Sequence, residues 1–325
     1  MSKPLFEIDI ASNAHSSLEA HAPLTLIKDS CCFHSAMGLR MPLGIYNISV
    51  SRICDKIIRL CRRLEAYFRA SDTIEGLNMH DDLMQEIIDY IELSLYAAAD
   101  HVNDIYSITS GFFKTKATKI KDTAYRKLDK AVKGNKRFVS AAANHIKHQQ
   151  SRIRIFSTEF MHGVTSGCLH GYFIEGVDAG VVCPSSSFHK NQNVFSITTL
   201  VWEIVLFLLN SSRDLASFLQ NTATLTEGEA DVKSASLSKA VVAAARLPIY
   251  TFGEKHPFSR STLRIIASND TDESLDSGLY GSIKHGWSKT AGASFGKCIS
   301  RFEGDGKTRS FRFAQPKSVS FIHWE

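Results

Sequence analysis

At 325 residues the chain is longer than one typical domain, and 44% hydrophobic with 22% charged residues is the balance of a globular protein that buries a core, which excludes a disordered or fibrous class. Seven cysteines, odd in number and without C-x-x-C spacing, exclude a disulfide framework and a zinc ribbon. The net charge of +5 is modest but uneven: nine acidic residues and no lysine or arginine run from Ala70 to Phe113, then ten basic residues against Asp122 and Asp129 from Lys114 to Arg137.

Residues 1–50 mix polar residues with Pro, Gly and short apolar pieces, and read as an irregular lead-in with one or two strands. The start, MSKPLFEIDIASNAH, lacks the basic-then-apolar pattern of a secretory signal, so a cytoplasmic protein is expected. Cys31, Cys32 and His34 form the one local cluster of metal-binding types, which Cys168 and His170 would complete if the fold joined them. Buried, inert thiols are the simpler reading, and no metal or other cofactor is expected.

From Ser51 the pattern turns helical: Ile53, Ile57, Leu60, Cys61, Leu64 and Phe68 recur at steps of three and four. Leu83, Ile87, Ile91, Leu95, Ala98, Val102 and Ile105 repeat the rhythm over about six turns. Phe113, Ala117, Ile120, Ala124, Leu128 and Ala131 do so a third time, with lysines on the remaining positions. Three amphipathic helices in succession predict an antiparallel bundle. The lysine-rich helix has three readings: a salt-sensitive RNA-facing surface, a merely solvated helix face, or an intramolecular charge match to the acidic helix before it.

Gly134 and Asn135 form a breaker, and Phe138, Val139, Ala142 and Ile146 begin a shorter fourth helix. At Arg152 the pattern changes to alternation, predicting a small β insertion at about 152–190. Ser196 then caps a helix that is apolar almost all round through ITTLVWEIVLFLL, which belongs at the bundle centre and, carrying Glu203, is too short to span a bilayer. Residues 221–246 read as a linker or exposed helix. Residues 247–325 read as a separate β-rich module, with a hairpin marked by Asp305-Gly306. The fold class is therefore α+β: a helical bundle over 51–220 with a β insertion, followed by a β-rich C-terminal module.

The chemistry gathers in NHIKHQQSRIR, residues 144–154. At 100° per residue, Arg137, Asn144 and His148 share one stripe of the fourth helix, flanked by His145 and Lys147 and followed by Arg152 and Arg154. An imidazole titrating near neutrality beside an amide and several cations suits a phosphodiester, with the histidine as acid or base toward a ribose 2′-hydroxyl and no metal required. The simpler reading is a polar helix end, where such groups cap carbonyls and answer the macrodipole.

The helical succession from Ser51 to Lys147, the string Asn144, Lys147 and His148 at the end of a bundle helix, and the return to an apolar helix at 197 resemble the HEPN superfamily of prokaryotic defence, toxin–antitoxin and RNA-processing proteins. The resemblance covers about half the chain. It implies a metal-independent endoribonuclease that acts as a homodimer, with His148 as acid or base, Asn144 as its polar companion and Arg137 as the phosphate-stabilising cation. Lys147, Arg152, Arg154 and His145 would bind RNA, and the partners implied are RNA, a second copy and an antitoxin or defence-system protein, with no membrane. Active members carry an arginine ahead of the histidine with four to six residues between them, whereas Arg137 and His145 have seven residues between them and Arg137 and His148 have ten. The alternative is a non-catalytic HEPN-like scaffold whose β module recognises a protein or nucleic acid.

Overall fold

The computed structural model describes residues 6–9, 18–70, 81–148, 151–162, 165–178, 180–190, 194–228, 230, 234–248, 250, 252, 263–266, 283–284, 294–301 and 308–315. Among them the chain runs β1 (Phe6–Asp9), α1 (His21–Thr25), α2 (Pro42–Ala70), α3 (Asp81–Ser110), α4 (Lys116–Lys121), α5 (Thr123–Asn135) and α6 (Arg137–His148). It continues through β2 (Ile153–His162), β3 (Thr165–Asp178), β4 (Val181–Pro184), α7 (Ser186–His189), β5 (Phe195–Ser196), α8 (Ile197–Thr222) and α9 (Ala235–Ala245). The last strands are β6 (Leu263–Ile266), β7 (Ile283–Lys284), β8 (Ser294–Arg301) and β9 (Thr308–Gln315). Helices with a small antiparallel sheet make an α+β protein, as the periodicities predict.

The two longest helices pair antiparallel. Val50, Ile53, Ile57, Leu60 and Leu64 of α2 are buried opposite Ile87, Ile91, Leu95, Val102 and Ile105 of α3. Burial of each such side chain stabilises by about 1.5–3 kcal/mol. Arg52 reaches Asp100 (3.9 Å) and Arg63 reaches Glu86 (2.5 Å), so a later residue of α2 meets an earlier one of α3. The first long helix of the bundle, α2, begins at Pro42 rather than in the fifties, and α1 precedes it, which shortens the expected 1–50 lead-in. Proline has no N–H to lose at a first turn, and Tyr46, Ser49 and Val50 extend the same buried face. The lead-in also supplies β1, which pairs parallel with β6.

The apolar helix α8 is buried along most of its length, and Ser196 caps it by accepting from the Thr199 N–H, as expected. Two boundaries differ from the sequence reading. The 221–246 segment is no exposed linker throughout: α9 packs on α2, with Leu237, Ala240, Val241, Ala244 and Ala245 buried. The lysine-rich helix is two helices, because Asp122 ends α4 and its Oδ1 accepts from Tyr125 N–H (2.7 Å) to cap α5. The break turns Ile120 outward, 53% exposed, although its spacing assigned it to the apolar face.

The β insertion is a long hairpin, β2 with β3, in register from Ile153↔Ile174 to His162↔Thr165. β4 and β5 pair antiparallel with β3 as well. β8 and β9 pair antiparallel from Ser294↔Gln315 to Arg301↔Thr308, while the Asp305-Gly306 turn and the closing SVSFIHWE segment lie outside the described residues. Among the described residues no helix is long and apolar enough to cross a membrane.

Candidate nucleic-acid interface

The basic segment is held to the bundle by aromatic rings more than by carboxylates. α5 lies on α8 through buried Leu128 and Val132, and Asn135 Nδ2 donates to Asp214 Oδ2 (2.7 Å). Lys119 Nζ sits 4.5 Å from the Tyr125 ring centre and 5.9 Å from that of Tyr106, and donates to Ser110 Oγ (2.6 Å). Lys136 Nζ lies 5.9 Å from the Tyr106 ring, whose hydroxyl donates to Asp129 (2.9 Å). Burial lowers the Lys119 pKa and raises that of Tyr106, so each contact has a desolvation cost. A cation over an aromatic face returns about 0.5–1 kcal/mol where solvent is near.

The intramolecular charge match does not form. Of the ten basic residues from Lys114 to Arg137, Lys133 alone among the described residues ion-pairs with a carboxylate, Asp129 of its own helix (2.6 Å). The carboxylates Glu86 and Asp100 of the acidic helix α3 are taken by arginines of α2 instead. Lys114, Lys116, Lys121, Arg126, Lys127, Lys130 and Arg137 are exposed. The result is a solvent-facing cationic surface on α4, α5 and the start of α6.

α6 is laid on α3 by Val139, Ala142, Ala143 and Ile146, all buried. Arg137, Asn144 and Lys147 are exposed, so the predicted stripe faces outward, while the side chain of His148 lies outside what the structure describes. Lys147 Nζ lies 4.4 Å from the Tyr96 ring centre. Sharing a stripe does not bring these groups into one small volume. Eleven residues at 1.5 Å each set Arg137 and His148 about 16 Å apart along the axis, and Asn144 about 6 Å from His148. One protomer therefore lines a track and does not close an arginine and a histidine on one phosphate.

Two of the expected RNA contacts are used inside the protein. His145 is buried, 8% exposed, with Nε2 3.3 Å from Ser187 Oγ and its ring against Phe188. It falls on the side of α6 that meets α7, so it cannot touch RNA without leaving the core. Arg154 is ion-paired through Nε to Glu175 Oε1, and Glu175 Oε2 accepts the Arg152 N–H (3.1 Å). That committed guanidinium pins the start of the hairpin. The Arg152 side chain is exposed, and with Lys147 it remains from the expected RNA-binding set.

His170 and His189 of the insertion also serve the core. His170 is fully buried against Tyr67 and Phe68, with Nδ1 2.7 Å from Ser157 Oγ, and burial pushes its pKa down to about 3. His189 Nε2 accepts the Ile174 N–H (2.9 Å), which places the ring proton on Nδ1; burial and then the nearby His145 push its pKa to about 3. The Cys31, Cys32 and His34 set does not assemble. His34 is buried with Nε2 2.8 Å from the Ile108 carbonyl, and Cys31 Sγ donates to Lys28 O (3.0 Å). No group of three potential metal ligands occurs among the described residues.

Tyr96, Tyr106 and Glu175 escaped the sequence reading. A tyrosine in a helical stripe looks like core, and only the fold shows lysines lying across these rings. Glu175 had one signal, an acid within the glycine-rich strand β3 that lies opposite the Arg152 and Arg154 alternation. Compared with known proteins, the chain finds no match among family models, curated proteins or solved structures.

Proposed function

We propose that the protein is an RNA-binding module of HEPN-like kind, engaging the phosphate backbone through α4, α5 and the outer stripe of α6. The carrying observation is the uncompensated run: nine of the ten basic residues from Lys114 to Arg137 have no carboxylate ion-pair partner among the described residues. Like charges on neighbouring helix turns repel, and a polyanion relieves that repulsion while releasing its own counterions. Arg137, Asn144 and Lys147 continue the surface along α6, and Arg152 extends it past the helix end.

Binding has more support than cleavage. A metal-independent endoribonuclease needs Arg137 and His148 at one phosphate, and their axial separation of about 16 Å forbids this within one copy. Two copies of α6 packed antiparallel about a two-fold axis would bring Arg137 to His148 of the partner subunit, which is the form in which the enzymatic reading stands.

Fluorescence anisotropy with a labelled single-stranded RNA tests binding. Replacing Lys116, Lys121 and Lys130 by Glu is expected to weaken it at least tenfold with the fold intact by circular dichroism; unchanged affinity contradicts the proposal. Incubation with total RNA in EDTA tests the enzymatic form. Cleavage that vanishes in His148→Ala supports that form, and intact RNA under all conditions leaves the protein a binding module.

A further inference from the structure

Away from the basic face, the centre of the bundle holds polar atoms that the surrounding protein does not satisfy. The His21, Tyr46 and His101 rings stand in a row, with centres 5.1 Å and 5.9 Å apart, and Phe207 of α8 follows 5.9 Å beyond His101. Tyr46 and His101 are fully buried, and so is Ser211, one helical turn past Phe207 on the same face of α8. Tyr46 Oη, His101 Nε2 and Ser211 Oγ have no protein partner with hydrogen-bond geometry. Ser212 is a hydrogen-bonding neighbour of Tyr46 but does not meet its Oη in full hydrogen-bond geometry, Ser212 Oγ accepts the Ala20 N–H (3.0 Å), and the other His101 nitrogen, Nδ1, is 2.7 Å from Ser49 Oγ.

Buried polar groups are almost always paired, with protein or with ordered water, and three orphans on three adjoining helices need a common explanation. We propose that an ordered internal water lies where α2, α3 and α8 meet and bridges Tyr46 Oη, His101 Nε2 and Ser211 Oγ. The chemistry selects water over an ion. Each partner is neutral, and a hydroxyl both donates and accepts. His101 Nε2 is a donor or an acceptor according to the direction of the Ser49 bond, and water matches either tautomer. The bridge adds a buried polar link among three helices that meet largely through apolar side chains, and so helps fix their relative rotation.

A crystal structure at a resolution that shows waters, with Ser211→Ala, Tyr46→Phe and their double variant in urea melts, tests this. Density within hydrogen-bond distance of all three atoms is expected, and its absence overturns the proposal. In the melts, removing a hydroxyl that binds the water lowers the midpoint, and the double variant loses less than the two single losses combined. If Ser211→Ala raises the midpoint, or the two effects simply add, the atoms are dry or independent and the bridge does not exist.

Discussion

Gly111 shows how closely single residues are placed here. A Cβ at Gly111 would meet the His34 ring at 2.3 Å, and that ring is held by the Ile108 carbonyl and by Phe112 edge-on. Gly111→Ala is expected to destabilise by about 1–3 kcal/mol, as overpacking does, read as a lower urea midpoint at unchanged slope. An unchanged midpoint means that the ring swings aside. At the same scale, helical angle separated Asn144 from His145 in the sequence and the structure keeps them apart, one exposed and one buried. What the angle cannot supply is the neighbour. Ser187 and Phe188 lie some forty residues on, and only the closure of the insertion onto α6 buries His145 beneath them.

The elements were legible where periodicity was long and unambiguous, and misread where one capping residue outweighed it. α2, α3 and α6 follow from repeated three- and four-residue steps, α8 from its cap at Ser196 and its apolar run, and the β2–β3 hairpin from the alternation that starts at Arg152. The lysine-rich helix was read as continuous because its apolar positions stay in phase, yet Asp122 stops one helix and caps the next. Asp122→Ala is therefore expected to cost about 1 kcal/mol through the lost cap, measured by chemical denaturation. Because α4 and α5 carry the cationic surface, the same variant is expected to weaken RNA binding although it removes a negative charge. Stronger binding in Asp122→Ala would show that charge alone matters. A helix was one of the two readings of 221–246, but the burial of α9 was not foreseen because its face is mostly alanine, which signals helix but not burial.

Over the whole molecule, buried neutral histidines tie stability to pH. Burial holds the pKa of His101 at about 4 and those of His170 and His189 at about 3, the last also lowered by His145, against an ordinary 6.5. His21 and His34 are lowered as well, chiefly by burial. A folded pKa below the unfolded one means that the unfolded chain takes up protons first. The stabilisation is complete above pH 6.5 and is lost as the pH falls toward the folded values. At pH 5 each of the first three has forfeited about 2 kcal/mol, together comparable with the stability of a whole domain. The urea midpoint is expected to fall steeply between pH 6.5 and 5, and a flat profile over that interval contradicts these burials.

Charge at this scale was half legible. The acidic and basic runs are plain in the sequence, but which helix answers which is a matter of packing. α2 meets α3 and takes Glu86 and Asp100, leaving the lysines of α4 and α5 to solvent. The salt dependence of RNA affinity measures that unanswered charge most directly. For single strands the logarithm of the binding constant falls with the logarithm of salt at a slope of about −0.7 per phosphate neutralised. Replacing Lys116, Lys121 and Lys130 together by alanine is predicted to weaken binding and make the slope shallower by about 2. Binding of equal strength and equal slope in that variant would contradict the assignment of the basic face as the RNA-binding surface.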